Sequence, residues 1–245
     1  MIRQHELVEP RFSNPAGPPE TRIYAVGDIH GRADLLHDMI ERIEDDLARR
    51  PIARAVEVYI GDYIDRGPQS KNVIEMLAWR VAHGRAVCLR GNHEALLEVF
   101  LADPAGLHPW LYVGARSTLE SYGLSDADLD ASEFSIHRRL REVFPAPHRL
   151  FLGGLQNSFS CGDFLFVHAG IRPGVALAQQ SPHDLLWIRD EFLHFQQSHG
   201  PVVVHGHTPV RHPELLPNRI NIDTGAWMSG VLTCIAIEGT TITVL

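Results

Sequence analysis

Two hydrophobic rhythms alternate along the chain. Short runs of adjacent apolar residues recur between stretches whose apolar positions follow helical spacing. Arg22 to Val26 reads as a strand. Leu35, Leu36, Met39, Ile40, Ile43 and Leu47 then repeat at helical spacing across Ala33 to Arg50. Ala55 to Ile60 is rich in β-formers, Ser70 to His83 is helical, Ala86 to Leu89 reads as a strand, and Glu94 to Leu101 as a helix. Such alternation predicts parallel strands joined by right-handed crossovers, the α/β class.

From Asp103 to Leu150 the rhythm breaks. This stretch mixes charges, carries Pro and Gly, and has helical pieces near Ser117 and Ile136, which predicts a helical insertion over one side of the domain. Beyond it, Phe159 to Val167 reads as a hairpin around Gly162-Asp163. Val202 to Val204, Ile220 to Ile222, Val231 to Ile237 and Thr241 to Leu245 read as further strands. The expected organisation is one domain over residues 22–245 behind an irregular arm over residues 1–21, which carries Pro10, Pro15, Pro18 and Pro19.

Composition narrows the classes. The 245 residues hold 22 Lys and Arg against 30 Asp and Glu, a formal charge of −8. That argues against a general nucleic-acid or anionic-membrane footprint. No apolar run approaches the roughly 18 residues that span a bilayer, and Met1 to Thr21 lacks an apolar signal-peptide core. Cys88, Cys161 and Cys234 stand alone in apolar surroundings, so reduced thiols and a cytoplasmic location are expected. The 15 histidines raise the prospect of metal chemistry without locating it. His37 and His83 fall on helices and read as solvated, as does the Arg138, Arg139 and Arg141 patch.

The chemistry is found where strands stop. Five apolar runs lead into Gly27-Asp28-Ile29-His30-Gly31, Gly61-Asp62-Tyr63-Ile64-Asp65-Arg66-Gly67, Gly91-Asn92-His93-Glu94, His168-Ala169-Gly170 and His205-Gly206-His207-Thr208. Ligands of open α/β sheets bind beyond the carboxyl ends of strands. Oxygen donors mixed with imidazole at several such ends describe a divalent transition-metal site. Shared by two ions about 3.5–4 Å apart, it becomes a hydrolytic centre.

The first three motifs, in this order and spacing, resemble the calcineurin-like metallophosphoesterases and, within them, the bacterial and phage phosphoprotein phosphatases. The resemblance spans Arg22 to about Gly225. It implies an α/β/β/α sandwich, two mixed sheets flanked by helices, with the helical insertion. It implies two divalent ions, Mn²⁺ foremost and Fe or Zn²⁺ as alternatives. Asp28 and His30 would hold the first ion, Asp62 would bridge, and Asn92, His168 and His207 would hold the second. His93 would be the general acid and Asp65 its orienting partner. Arg66 and Asn92 would meet the phosphoryl group, and Arg189 of Leu185-Leu-Trp-Ile-Arg189 would join them. His205 and Asp223 are candidates for supporting roles; on an extended strand His205 would face the same side as His207.

The same resemblance implies phosphoserine and phosphothreonine in proteins or peptides as substrate. It rests on Asp65, Glu94 and the segment Ser117-Thr-Leu-Glu-Ser-Tyr-Gly123. A symmetrical dinucleoside tetraphosphate hydrolase is the nearest rival, and broad phosphatase activity including phosphotyrosine is another. A metal-binding phosphoprotein scaffold without turnover is a remote alternative. With the last strand ending at Leu245, no regulatory subunit is implied.

Overall fold

The computed structural model describes residues 14–245. Among the described residues, ten strands build two five-stranded sheets. They are β1 (Thr21–Val26), β2 (Arg54–Tyr59), β3 (Ala86–Cys88), β4 (Ser158–Cys161), β5 (Phe164–Val167), β6 (Val202–His205), β7 (Glu214–Leu215), β8 (Arg219–Asn221), β9 (Cys234–Glu238) and β10 (Thr241–Val244). One sheet runs β10-β9-β1-β2-β3 and the other β4-β5-β6-β8-β7. Pairs β1–β2, β2–β3, β5–β6 and β6–β8 are parallel, and the outer pairs are antiparallel. Both sheets are therefore mixed.

Strand alternation sorts side chains into layers. On β1, Ile23 and Ala25 enter the core between the sheets, while Tyr24 and Val26 join the core under the helices. On β5, Phe164 and Phe166 face the other sheet, and Leu165 and Val167 face outward. The helices flanking the first sheet include α1 (Ala33–Arg49), α2 (Ser70–Ala82) and α3 (Asn92–Ala102). Next come α4 (Leu107–Tyr112), α5 (Ala115–Ser121), α6 (Asp126–Leu129), α7 (Glu133–Val143) and α8 (Ala146–Gly153), so the stretch expected as an insertion is helical. Two short helices, α9 (Pro182–Trp187) and α10 (Asp190–Leu193), bring Leu185, Ile188 and Phe192 to the outer face of the second sheet. The layers are helix, sheet, sheet, helix.

Several elements differ from the sequence pattern. The α3 helix begins at Asn92 rather than Glu94. The strand expected from Val231 begins only at Cys234, because α11 (Ala226–Ser229) and Gly230, at φ 73°, occupy the turn before it. Helices α9 to α11 and the two-residue β7 are too short to show a period.

Residues 1–13 of the expected arm lie outside the described residues. The described remainder joins the two sheets: Gly17 N donates to Gly239 O (2.8 Å) and Ala16 N to Asp163 Oδ2 (3.0 Å). Among the described residues no helix is long and apolar enough to cross a membrane. The three cysteines are free and buried.

Candidate active site

All five strand ends meet on one edge of the sandwich. The chain there is tightly constrained: His30, Asp62, Asp65, Arg66 and His207 adopt positive φ, between 45° and 71°. Such strain costs about 1–3 kcal/mol per residue and persists only where surrounding contacts enforce it. Close approach needs glycine, and two positions bear directly on the carboxylates. A Cβ on Gly91 would overlap the backbone N and Oδ1 of Asp62, and one on Gly206 would overlap Asp28 Oδ1.

Asp62 is the centre, and its two oxygens face different groups. Oδ1 lies 3.3 Å from His168 Nε2, which itself lies 2.9 Å from Asn92 Oδ1 and 3.1 Å from His207 Nδ1. Oδ2 lies 3.5 Å from His30 Nε2 and 3.6 Å from His93 Nε2. The sets Asp62–His168–His207 and His30–Asp62–His93 each have the spacing to hold a metal ion.

The donor chemistry fits cations. His168 Nδ1 donates to Ile60 O (3.0 Å) and His30 Nδ1 to Ile64 O (2.8 Å). That fixes each neutral ring with its lone pair on Nε2, aimed inward, as orienting bonds do for metal ligands. The His168 lone pair then meets an amide oxygen and a carboxylate oxygen, an arrangement that a cation among them would reconcile. Burial drives His30 down to about 3 and His207 to about 2, and lowers His168. Asp28 Oδ1 is buried with no partner, while Asp28 Oδ2 accepts from His207 N (3.1 Å). Burial, then the carboxylates of Asp223 and Asp62, raise Asp28 well above its ordinary range. Asp223 is pushed up to about 6, by burial first and by Asp62, against the bond from Gly225 N. Burial works against an ionised Asp62 too, but the surrounding imidazoles, led by His168, lower it overall.

His93 sits beside this group. Its Nδ1 lies 2.7 Å from Asp65 Oδ2, and its Nε2 is 3.3 Å from Arg66 Nη2. Burial lowers His93, but Asp62 and the Asp65 bond outweigh it and the net shift is upward. Asp65 is fully buried. It also accepts from Trp110 Nε1 (2.8 Å) and Thr118 Oγ1 (2.5 Å). These two partners were not singled out from the sequence, although Thr118 lies in the segment noted for its resemblance.

Glu94 does something the sequence did not disclose. Its carboxylate accepts from four backbone N–H groups: Gly91 (2.9 Å), Asp62 (2.9 Å), Tyr63 (2.8 Å) and Ile64 (3.3 Å). It ties the β2 loop to the start of α3. His93 N, on that first turn, donates to Asp62 Oδ1 (3.2 Å).

The arginines line the rim. Arg66 Cζ lies 5.5 Å from the Trp227 ring centroid. Arg189 Nη1 donates to Thr208 Oγ1 (2.9 Å) beside His207.

His205 stands apart from these residues. Val203 and His205 share the outward face of β6, and His205 packs on Phe192 with ring centroids 4.9 Å apart. Its ring nitrogens reach Gly206 O (3.1 Å) and Arg219 (3.4 Å), with no bond to a candidate ligand. The expectation that it faces the same side as His207 is corrected: the strand ends at His205, and the turn with His207 at φ 66° breaks the alternation.

Two layered sheets with this donor set at their edge define a metal-dependent phosphoesterase. The family model for calcineurin-like phosphoesterases matches residues 21–226, and the chain belongs to that family. It is 26% identical over 230 residues to the asymmetrical bis(5'-nucleosyl)-tetraphosphatase PrpE of Halalkalibacterium halodurans, covering 86% of this chain and 87% of that protein. It is 28% identical to the protein of the same name from Anoxybacillus flavithermus, covering 86% and 88%. A solved structure of a candidate diadenosine tetraphosphatase superposes with TM-score 0.63 at 19% identity, over 96% of this chain and 98% of that one. At that identity, the structural likeness speaks for the fold alone.

Proposed function

We propose that this hydrolase cleaves dinucleoside tetraphosphates asymmetrically, into a nucleoside monophosphate and a nucleoside triphosphate. The supporting observation is the near end-to-end match to proteins named for that reaction, 86% of this chain against 87% of the relative. The protein-phosphatase expectation leaned on Asp65, Glu94 and the segment Ser117-Thr-Leu-Glu-Ser-Tyr-Gly123, whose Thr118 bonds to Asp65. Both carboxylates are buried and engaged: Asp65 with His93, Trp110 and Thr118, Glu94 with backbone N–H groups. Neither is free to distinguish one phosphoester from another. The sequence pointed to symmetrical cleavage as the rival; the relatives' name favours the asymmetrical kind.

Asp28 and His30 would hold one divalent ion, Asp62 would bridge, and Asn92, His168 and His207 would hold the other. Mn²⁺ is the expected metal, with Fe and Zn²⁺ suited to the same donors. Two such ions, when bound, act as Lewis acids and bring the pKa of an attacking water towards neutrality. Arg66 and Arg189 offset charge on the phosphoryl oxygens by hydrogen bonds from their guanidinium groups. Asp223, buried and electrostatically close to Asp28 and Asp62, adds negative charge that favours cations in the site. Asp65 fixes the His93 ring so that Nε2 points at the reacting group. His93 can then donate a proton to a leaving oxygen, a step typically worth about 10²–10⁴ in rate where that oxygen is strongly basic.

That last point supports a second reading. The held His93–Asp65 pair suits phosphoserine and phosphothreonine, whose alkoxide leaving groups need the proton. A substrate panel with Mn²⁺ added decides between them: diadenosine tetraphosphate against phosphoserine, phosphothreonine and phosphotyrosine peptides. Preference for the dinucleotide is expected. Preference for a phosphopeptide would overturn the proposal.

A further inference from the structure

Trp227 stands at the rim with its ring against Arg66, 5.5 Å from centroid to guanidinium carbon. This is within cation–π range. The indole remains 39% exposed, and Met228 and Val231 beside it are exposed as well. The short helix that carries it is fixed from several directions. Arg32 Nη1 donates to Ala226 O (3.1 Å), Gly225 N to Asp223 Oδ1 (2.9 Å), and Thr224 Oγ1 to Val231 O (2.8 Å). A pinned aromatic ring, left partly in water next to a cation, is a preorganised stacking surface.

We propose that Trp227 is the platform on which a nucleobase of the substrate stacks. This rests on the dinucleoside tetraphosphate reading above and extends it to the choice of scissile bond. Arg66 is one of the two arginines assigned to the reacting phosphoryl group, and the ring adjoins it directly. A base on Trp227 therefore belongs to the nucleoside nearest that phosphorus, which makes it an end phosphate of the chain. Attack there forms a bond between the water oxygen and that phosphorus. The bond from phosphorus to the bridging oxygen breaks, and its electron pair leaves with the nucleoside triphosphate. The two protons of the water pass to the two phosphate products or to solvent. Attack at an inner phosphorus with loss of the central bridging oxygen would instead release two nucleoside diphosphates, and would put the base one phosphate further from Arg66.

The test is calorimetric titration of the full chain, with Mn²⁺ added, by AMP and by ribose 5-phosphate, which shares the sugar phosphate and lacks the base. The unmodified protein is expected to bind AMP at least about tenfold tighter. Trp227→Ala is expected to shrink that ratio about tenfold, and Trp227→Phe to hold it within about threefold, since stacking on an aromatic ring tolerates a change of ring. If the alanine variant folds poorly, tryptophan fluorescence decides. Quenching by AMP and not by ribose 5-phosphate, weakened in Trp227→Phe, supports the platform. Equal weakening of both ligands would reduce Trp227 to a prop for Arg66 and overturn the proposal, as would an initial ratio near one. Hydrolysis of diadenosine tetraphosphate is followed in parallel. Cleavage with a ratio insensitive to Trp227 sinks the platform and spares the reaction. A sensitive ratio without cleavage of the dinucleotide sinks the reaction and spares the platform.

Discussion

His93 and Asp65 face each other at 2.7 Å, Nδ1 to Oδ2, with both side chains buried. The contact occupies Nδ1, so a substrate would be served by Nε2, which lies 3.3 Å from Arg66 Nη2. His93→Asn should therefore cut kcat by about 10²–10⁴ on an alkyl phosphate. The loss on diadenosine tetraphosphate should be far smaller, about tenfold, because a leaving nucleoside triphosphate is weakly basic and needs little protonation. Steady-state kinetics on both substrates check this. Equal losses would contradict a leaving-group role.

Glu94 holds the loop that presents Asp62. Glu94→Ala leaves four backbone N–H groups without their carboxylate. A buried donor without a partner costs about 1–3 kcal/mol, so a total loss of about 3 kcal/mol or more is expected after partial rescue by water. The urea midpoint should fall, and metal content by elemental analysis should fall with it. An unchanged midpoint would mean that the clamp is dispensable.

Gly206 separates two effects. A Cβ there overlaps Asp28 Oδ1 and sits 2.8 Å from Ile60 Cδ1. Gly206→Ala should displace the Asp28 carboxylate, lowering divalent-ion affinity at least about tenfold while the fold persists. Metal titration followed by calorimetry, beside a thermal melt of the metal-free protein, reads each effect separately.

His199 gives a pH signature away from the site. It lies against Phe192 and Phe195, with ring centroids 5.1 Å and 4.9 Å away, and burial lowers its pKa to about 4. The unfolded chain takes up a proton near pH 6.5, while the folded imidazole resists until about 4. Stability is thus fully present above 6.5 and declines as pH falls through that window, with a slope of at most about 1.4 kcal/mol per pH unit for one group. His199→Gln should flatten the dependence of the urea midpoint on pH between 6.5 and 4. A slope identical to that of the parent would remove His199 from the account.

How much of this was legible in the sequence follows from which physical signal each residue carried. Both faces of β1 are buried, so its run from Arg22 to Val26 was plain, and the glycines after it marked where the chain must turn. Asp28, His30, Asp62, Asn92, His93, His168 and His207 all stood at such ends, and the structure brings them together. Arg189 was placed by resemblance, and it reaches the site through Thr208. His205 was misplaced because period-two reasoning holds only while the strand continues. The function of Glu94 was hidden because its four partners are backbone groups, which no side-chain pattern encodes. Trp227 went unnoticed because α11 has four residues, too few for a period, and exposure of a ring depends on its neighbours in space.

Cleavage of dinucleoside tetraphosphates at an end phosphate, by the candidate metal-binding edge of this sandwich, is the proposed reaction. Chromatographic analysis of the products from diadenosine tetraphosphate, sampled early with Mn²⁺ added, tests it most directly. AMP and ATP in equal amounts are the result expected. ADP as the sole product, or an intact dinucleotide under conditions where a phosphopeptide is consumed, would contradict it.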